Sequence, residues 1–287
     1  MAMKRSAAAI VLAAAVLALP ARAEVESAPV VTSRTHATLV AGGPAAVPGM
    51  PLAVALRLRL KPGWHTYWRN PGDSGEPAAV TLRIDGKEIK GPDAWPTPER
   101  IDIAGIVSYG HHGDVTLVTT VPIPATVAAG APLRVEAEAT WLVCEKVCVP
   151  EKGQFTLNVP VATARAPAGE GVERSLYPPP RPAITGLFAR AGQGWELRLP
   201  VTSLGSGDGS VVDAWFFPER GDLIDHSAPQ DLREWAGQMA LGLASAQLPA
   251  DPPSELRGVL AVTRQRPDGS RQTRHFDLTA RPATESR

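Results

Sequence analysis

Apolar and polar residues alternate one by one along most of this chain. Val54, Leu56, Leu58 and Leu60 are separated by Ala55, Arg57 and Arg59. Val115, Leu117, Val121 and Ile123 keep the same period, with Thr119 between them. Leu133, Val135, Ala137, Ala139, Trp141 and Val143 alternate with Arg134, Glu136, Glu138 and Thr140. Phe155, Leu157, Val159 and Val161 alternate with Gln154, Thr156 and Asn158. A period of two belongs to a strand with one buried and one wet face. Turn signals stand between these runs at Pro71-Gly72, Asp85-Gly86 and Gly113-Asp114. The period lapses from Ala162 to Pro182, where Pro178-Pro179-Pro180-Arg181-Pro182 favours stiff, extended backbone. It resumes at Trp195–Leu199, and further strands are expected at Val211–Phe217, Met239–Ala244, Leu256–Thr263 and His275–Leu278, with a Pro267-Asp268-Gly269 turn before the last. Asp231–Gln238 reads as a short helix. The expected architecture is all-β: one sandwich over residues 24–165, a Pro-rich linker over 166–182, and a second sandwich over 183–287.

Composition agrees with that picture. Proline (29) and glycine (26) are frequent among the 287 residues, as many short strands joined by turns require. Hydrophobic residues make up 44%, enough for real cores. Lys plus Arg equals Asp plus Glu at 29 each, so no basic excess marks a nucleic-acid binder. Residues 1–23 have the form of a secretory signal peptide. Lys4 and Arg5 precede an apolar run from Ile10 to Leu19, too short for the ~20 residues that span a bilayer, and Ala21-Arg22-Ala23 offers a cleavage site before Glu24. Cleavage after Ala23 leaves 26 basic and 29 acidic residues, a net charge of −3. The small-residue-rich signal points to a bacterial periplasm, where disulfides persist.

The two cysteines are Cys144 and Cys148, in Trp141-Leu142-Val143-Cys144-Glu145-Lys146-Val147-Cys148-Val149-Pro150. In an exported chain such a pair normally forms one disulfide. Three intervening residues suit a short hairpin loop, which sets the cysteines opposite one another. Parity places both on the wet side: Cys144 with Glu136 and Glu138, Cys148 with Lys152 and Gln154. Both sulfurs are therefore expected to point at solvent, unless a bulge flips one. A loop of five residues removes little chain entropy, worth about 2 kcal/mol, so a purely structural staple gains little. A short, exposed bridge is the kind that exchanges. Lys146 favours the thiolate that exchange needs, and Glu145 opposes it.

Three blocks resemble a known family. Trp141–Glu151 is similar to the redox motif of the amino-terminal periplasmic domain of DsbD-type protein-disulfide reductases, more closely the ScsB branch named for suppression of copper sensitivity. Lys61-Pro62-Gly63-Trp64-His65-Thr66-Tyr67-Trp68-Arg69-Asn70-Pro71-Gly72-Asp73-Ser74-Gly75 and Tyr109-Gly110-His111-His112-Gly113 resemble the same group, and Trp215-Phe216-Phe217-Pro218 extends the likeness weakly into the second half. The resemblance implies immunoglobulin-like sandwiches and electron relay between a membrane-embedded thiol carrier and thioredoxin-like periplasmic proteins. It implies Cys148 as the sulfur that bonds the partner and Cys144 as the one that resolves. Tyr67, Trp68 and Tyr109 would shield the pair, with His111 and Lys146 beside it for docking or charge. No cofactor is implied beyond the disulfide. The cysteine spacing is narrower than in the best-known DsbD form, and no phenylalanine-bearing cap is legible. Full-length members continue into membrane and thioredoxin domains, so the carrier is expected on another chain or a further segment.

Two other readings remain open from the residues. One is a binding module whose cysteines merely staple a loop. The other is a Cu(I)-handling protein, since thiolate and imidazole suit that ion. No Met-rich tract, zinc-ligand set, nucleophile elbow or phosphate loop supports a different chemistry.

Overall fold

The computed structural model describes residues 25–162, 176–205, 207, 209–246 and 253–283. The signal-peptide segment and most of the linker lie outside them. None of the helices among the described residues is long and apolar enough to cross a membrane.

Alternation becomes strand wherever it was read. The first domain contains β1 (Val25–Glu26), β2 (Val30–Val31), β3 (Thr35–Ala41), β4 (Pro51–Leu60), β5 (His65–Gly72), β6 (Ala79–Ile84), β7 (Lys87–Gly91), β8 (Glu99–Ile103), β9 (Ile106–His112), β10 (Asp114–Pro122), β11 (Leu133–Cys144) and β12 (Cys148–Val159). One sheet has the order β1-β3-β4-β10, with β2 also on β3. The other runs β7-β6-β11-β5-β9-β8, with β12 on β11. Their inner faces share one core that includes Leu39, Leu56, Leu117, Val135, Trp141 and Phe155. The hairpin β11–β12 pairs without interruption from Leu133↔Val159 to Cys144↔Cys148. Its odd positions are buried from Leu133 to Val143, as a half-buried hairpin demands.

The second domain contains β13 (Ala183–Ala191), β14 (Gly194–Pro200), β15 (Ser210–Pro218), β16 (Asp231–Trp235), β17 (Gln238–Leu243), β18 (Leu256–Gln265) and β19 (Arg271–Pro282). They form one continuous path, β15-β18-β19-β13-β14-β17-β16. All its pairs are antiparallel except β13 with β19. That parallel joint links two sandwich halves around one core, which includes Trp195, Leu197, Phe216, Leu241, Leu260 and Phe276.

Three local expectations change. Asp231–Trp235 is an edge strand, not a helix: Leu232 pairs with Leu241 and Trp235 with Gln238. Ala236 and Gly237, both at positive φ, make the two-residue turn that closes this hairpin. Non-local pairing has overridden local preference. At Pro71-Gly72 the chain bulges instead of turning: the register with β9 jumps between Tyr67↔Gly110 and Gly72↔Ser108. Finally, the described end of the linker is packed. Leu176 is 1% exposed and fills a small cluster with Val40, Ala53, Ala55 and Val118 of the first domain.

The domains meet through β5, β8 and β9. Asn70, in the β5 bulge, donates its amide to Pro218 O at 2.8 Å. Arg69 pairs with Glu219 at 3.0 Å. Arg100 lies 4.7 Å over the Trp215 ring. Tyr109 stacks edge-on against Phe217 and His226, with centroids at 4.9 and 5.0 Å.

Candidate redox site

The site sits at the tip of the β11–β12 hairpin. Cys144 and Cys148 are directly opposed there, with Cα atoms 4.2 Å apart, and they form a disulfide. Opposed residues of an antiparallel pair point to the same face. The register carries that face onward: Cys144 is opposite His65 on β5, and His65 is opposite His112 on β9. One rung across four strands thus reads Cys148, Cys144, His65, His112. The imidazole rings of His65 and His112 are 5.6 Å apart, and His112 contacts Glu99 at 3.0 Å. Burial, then the neighbouring His112, lowers the pKa of His65.

The expectation that both sulfurs face solvent is half corrected. Cys148 is exposed, but Cys144 is only 3% exposed. No bulge has flipped it; the outer face is covered at this point. Tyr67 comes from β5, and its hydroxyl lies 2.9 Å from Cys144 Sγ and 3.3 Å from Cys148 Sγ. The Tyr67 ring is itself covered by the segment after the β5 bulge. A Cβ built on Gly75, whose φ is +96°, would fall 2.2 Å from that ring, so only glycine permits this close backbone approach. That segment supplies a roof that no phenylalanine in the sequence advertised. Burial raises the pKa of the Tyr67 phenol, which keeps it a hydrogen-bond donor at neutral pH.

The structure separates the other residues singled out from sequence. Lys146 is exposed in the loop between the cysteines, beside Val147, which is 67% exposed. Trp68 has the opposite parity to Tyr67 and packs in the first core. Tyr109 is fully buried at the domain junction, its hydroxyl 3.2 Å from His226 Nδ1. His111 is 4% exposed, and burial pushes its pKa down to about 4. These three take their places in packing, not over the sulfurs.

Sequence reading assigned no role to four residues that build the site or join it to the second domain. Glu151, 7% exposed, accepts from Trp141 Nε1 at 2.9 Å, Thr32 Oγ1 at 2.8 Å and Arg34 Nε at 2.9 Å. His65 and Asn70 stand in the Lys61–Gly75 block, but nothing local shows that one faces Cys144 and the other the second domain. Thr66 Oγ1 donates to Leu142 O at 2.9 Å, tying β5 to β11 just before the cysteine. Among the described residues, no three His, Cys, Asp or Glu side chains converge as a metal-binding group.

Comparison with known proteins agrees with this geometry. Residues 36–160 match the family model for the amino-terminal region of the thiol:disulfide interchange protein DsbD. No curated protein sequence matches. Among solved structures, the N-terminal periplasmic domain of ScsB from Proteus mirabilis superposes with a TM-score of 0.57 at 16% identity, over 91% of this chain and 100% of that one. That likeness spans both domains and establishes their common fold. Spo0M, a sporulation control protein from Bacillus subtilis, aligns at 10% identity over 86% of this chain and 91% of its own, but its TM-score of 0.23 carries no argument.

Proposed function

We propose that this chain relays electrons in the periplasm between a membrane-embedded thiol carrier and thioredoxin-like proteins, a reading supported by the match of residues 36–160 to the DsbD amino-terminal family model. The observation that carries this reading is the asymmetry of the disulfide: Cys148 is exposed, while Cys144 is buried beneath the Tyr67 hydroxyl.

In the reducing direction the Cys148 thiolate attacks one sulfur of a partner's disulfide. The partner's other sulfur leaves as a thiolate, and a mixed disulfide joins Cys148 to the partner. Cys144 then gives up its proton and attacks Cys148 Sγ, expelling the second partner thiolate and forming the Cys144–Cys148 bond. Two electrons pass to the partner. The two protons released by Cys144 and Cys148 balance the two that its thiolates take up. The membrane carrier reverses these steps to restore the dithiol.

Each neighbouring group has a part in this scheme. The Tyr67 hydroxyl reaches both sulfurs and donates to whichever carries the charge, strengthening a thiolate in a poorly solvated place. In this scheme His65, opposite Cys144 in the register, takes up the Cys144 proton, and His112, 5.6 Å from it ring to ring, passes it towards Glu99 and solvent. Burial of Cys144 restricts stray oxidants, while Cys148 and exposed Val147 meet the partner. The second domain grips β5 through Asn70 and Arg69, and so holds the strand that carries Tyr67.

The test is trapping. A Cys144→Ser variant, mixed with an oxidised thioredoxin-like protein, is expected to accumulate a covalent complex through Cys148, and Cys148→Ser is expected to form none. The reduction potential is expected above about −300 mV, on the exchanging side of the range for structural disulfides. A lower potential together with no trapped complex would return the bridge to the role of a staple.

A further inference from the structure

The outer face of the β11–β12 hairpin continues past the sulfurs. Two residues back from Cys144 and two on from Cys148, Leu142 stands opposite Pro150, and two further along Thr140 stands opposite Lys152. These four share the face of the cysteines, because a strand returns to the same face at every second residue. Glu76 and Pro77 lie beside them, since Ala79, where β6 begins, pairs with Thr140. Together these six residues line a groove of about 330 Å³. Leu142 is half-buried, and the other five are exposed. Leu142 and Pro150 give it an apolar floor. The charged side chains on its rim, Glu76 and Lys152, have opposite signs, so the groove offers shape and apolar contact and no net charge.

A mixed disulfide restricts where a partner's chain can lie. The Cα of its cysteine must stand roughly 4.4–6.8 Å from that of Cys148. On the β5 side, Tyr67 and the Gly75 segment cover the face. The edge of β12 is blunted at Pro150. Leu142 turns its carbonyl to Thr66 on β5, and in an antiparallel ladder the N–H and C=O of one residue point the same way. Leu142 and Pro150 are thus a non-hydrogen-bonded pair, the class to which the 4.2 Å Cα separation of Cys144 and Cys148 also belongs. The backbone of Pro150 therefore points away from β11, towards the outer edge of β12, and proline has no N–H to offer there. A strand added at that edge loses a bond beside the sulfur. The groove is the path along the hairpin that neither obstacle closes.

Its spacing matches an extended chain. Cys148 and Pro150 are same-face neighbours about 7 Å apart, as are residues i and i+2 of any extended peptide. A partner joined to Cys148, with its chain along the hairpin, sets the side chain two positions from its cysteine over Leu142 and Pro150. Pro77 and Pro150 are fixed in φ, which keeps the groove formed before a partner arrives.

We propose that this groove is the specificity subsite of the exchange, receiving an apolar side chain two residues from the attacked cysteine of an extended partner segment. The inference rests on Cys148 as the exchanging sulfur. Two synthetic pentapeptides test it on the reduced protein. Each has a central cysteine in a mixed disulfide with thionitrobenzoate, threonine on both sides of it, and leucine or serine at both ends. The Cys148 thiolate attacks the peptide sulfur and expels thionitrobenzoate, the better leaving group, whose absorbance gives the rate. Cys144 then attacks Cys148 Sγ and frees the peptide thiol. The dithiol is oxidised by two electrons, and the peptide disulfide is reduced to the peptide thiol and thionitrobenzoate.

The leucine peptide is expected to react about fivefold faster or more, the effect of burying part of one leucine side chain. Thr140→Trp, at an exposed position, fills the groove and is expected to bring the two rates within about twofold while the serine rate stays as it was. Thr156→Trp, further along the same face of β12 and clear of the groove, is expected to keep the preference. Equal rates for the two peptides, with thionitrobenzoate released from both, would overturn the groove and leave the redox reading standing. Release from neither would overturn both. A preference that survives Thr140→Trp, or one that Thr156→Trp abolishes equally, would also overturn the groove.

Discussion

Two long hairpins dominate the two domains, and they differ in what happens at their tips. β11–β12 keeps strict alternation to its end and places its chemistry, the cysteines, on the outer face. Other elements then cover that face: Tyr67 reaches over the sulfurs, and the Gly75 segment lies on Tyr67. β18–β19 also keeps its alternation, but Arg264 and Arg274 lie on its inner face, in line with buried Val262 and Phe276, and emerge where the core runs out. A strand's period decides which face a side chain occupies. Whether that face is wet depends on what the rest of the chain lays over it. An outer position can be buried and an inner one open.

The largest expected effect breaks the first hairpin near its tip. Glu151→Ala leaves the Trp141 indole N–H buried without an acceptor and Arg34 without its anion. It should destabilise the protein by about 2–3 kcal/mol, measured by urea unfolding. An equivalent cut in the second hairpin, Asp268→Ala, removes only the exposed bonds from Ser270, and the melting temperature should move by no more than about 2 °C.

Acid sharpens the comparison next, because the first domain holds a buried histidine, His111, in its packing. His111 has a folded pKa near 4, below its ordinary value of 6.5. The unfolded chain therefore takes up the proton first as pH falls. Stability from this group is intact above pH 6.5 and declines between 6.5 and 4, by about 3 kcal/mol in all. The difference in unfolding free energy between the protein and His111→Gln should show that slope. Equal pH dependence in both would remove His111 as its source.

Smaller effects concern how the roof and the second domain tune the sulfurs. Tyr67→Phe removes the donor but keeps the ring over the pair. The reactive thiol pKa should rise by about one unit, or ~1.4 kcal/mol, read from the pH dependence of alkylation by iodoacetamide. Asn70→Ala loosens β5 from the second domain, and the same profile should shift in the same direction by less than half of that. No shift would make the junction a tether without influence on the site.

Much of this was legible beforehand. The strands at Leu133–Val143, Leu256–Thr263 and elsewhere followed from a period of two, since that pattern has one geometric meaning. The cysteine hairpin followed from a three-residue spacing flanked by alternating runs. Asp231–Trp235 was misread because a short polar run becomes an edge strand only through β17, which no local signal discloses. Trp68 and Tyr109 were drawn to the site by their neighbours in sequence, although strand parity turns both away from Tyr67's face.

The sequence by itself determined the strands, their faces, and the opposition of Cys144 to Cys148, because each is set by bonds and periods within a few residues. Tertiary structure alone decided that Cys144 lies under a phenol from 77 positions away, that His65 stands opposite it, and that Glu76 and Pro77 wall a groove beside the exposed sulfur. Those arrangements depend on which strands pair and which loops fold over them. Such contacts join residues far apart in the chain, and local pattern does not encode them.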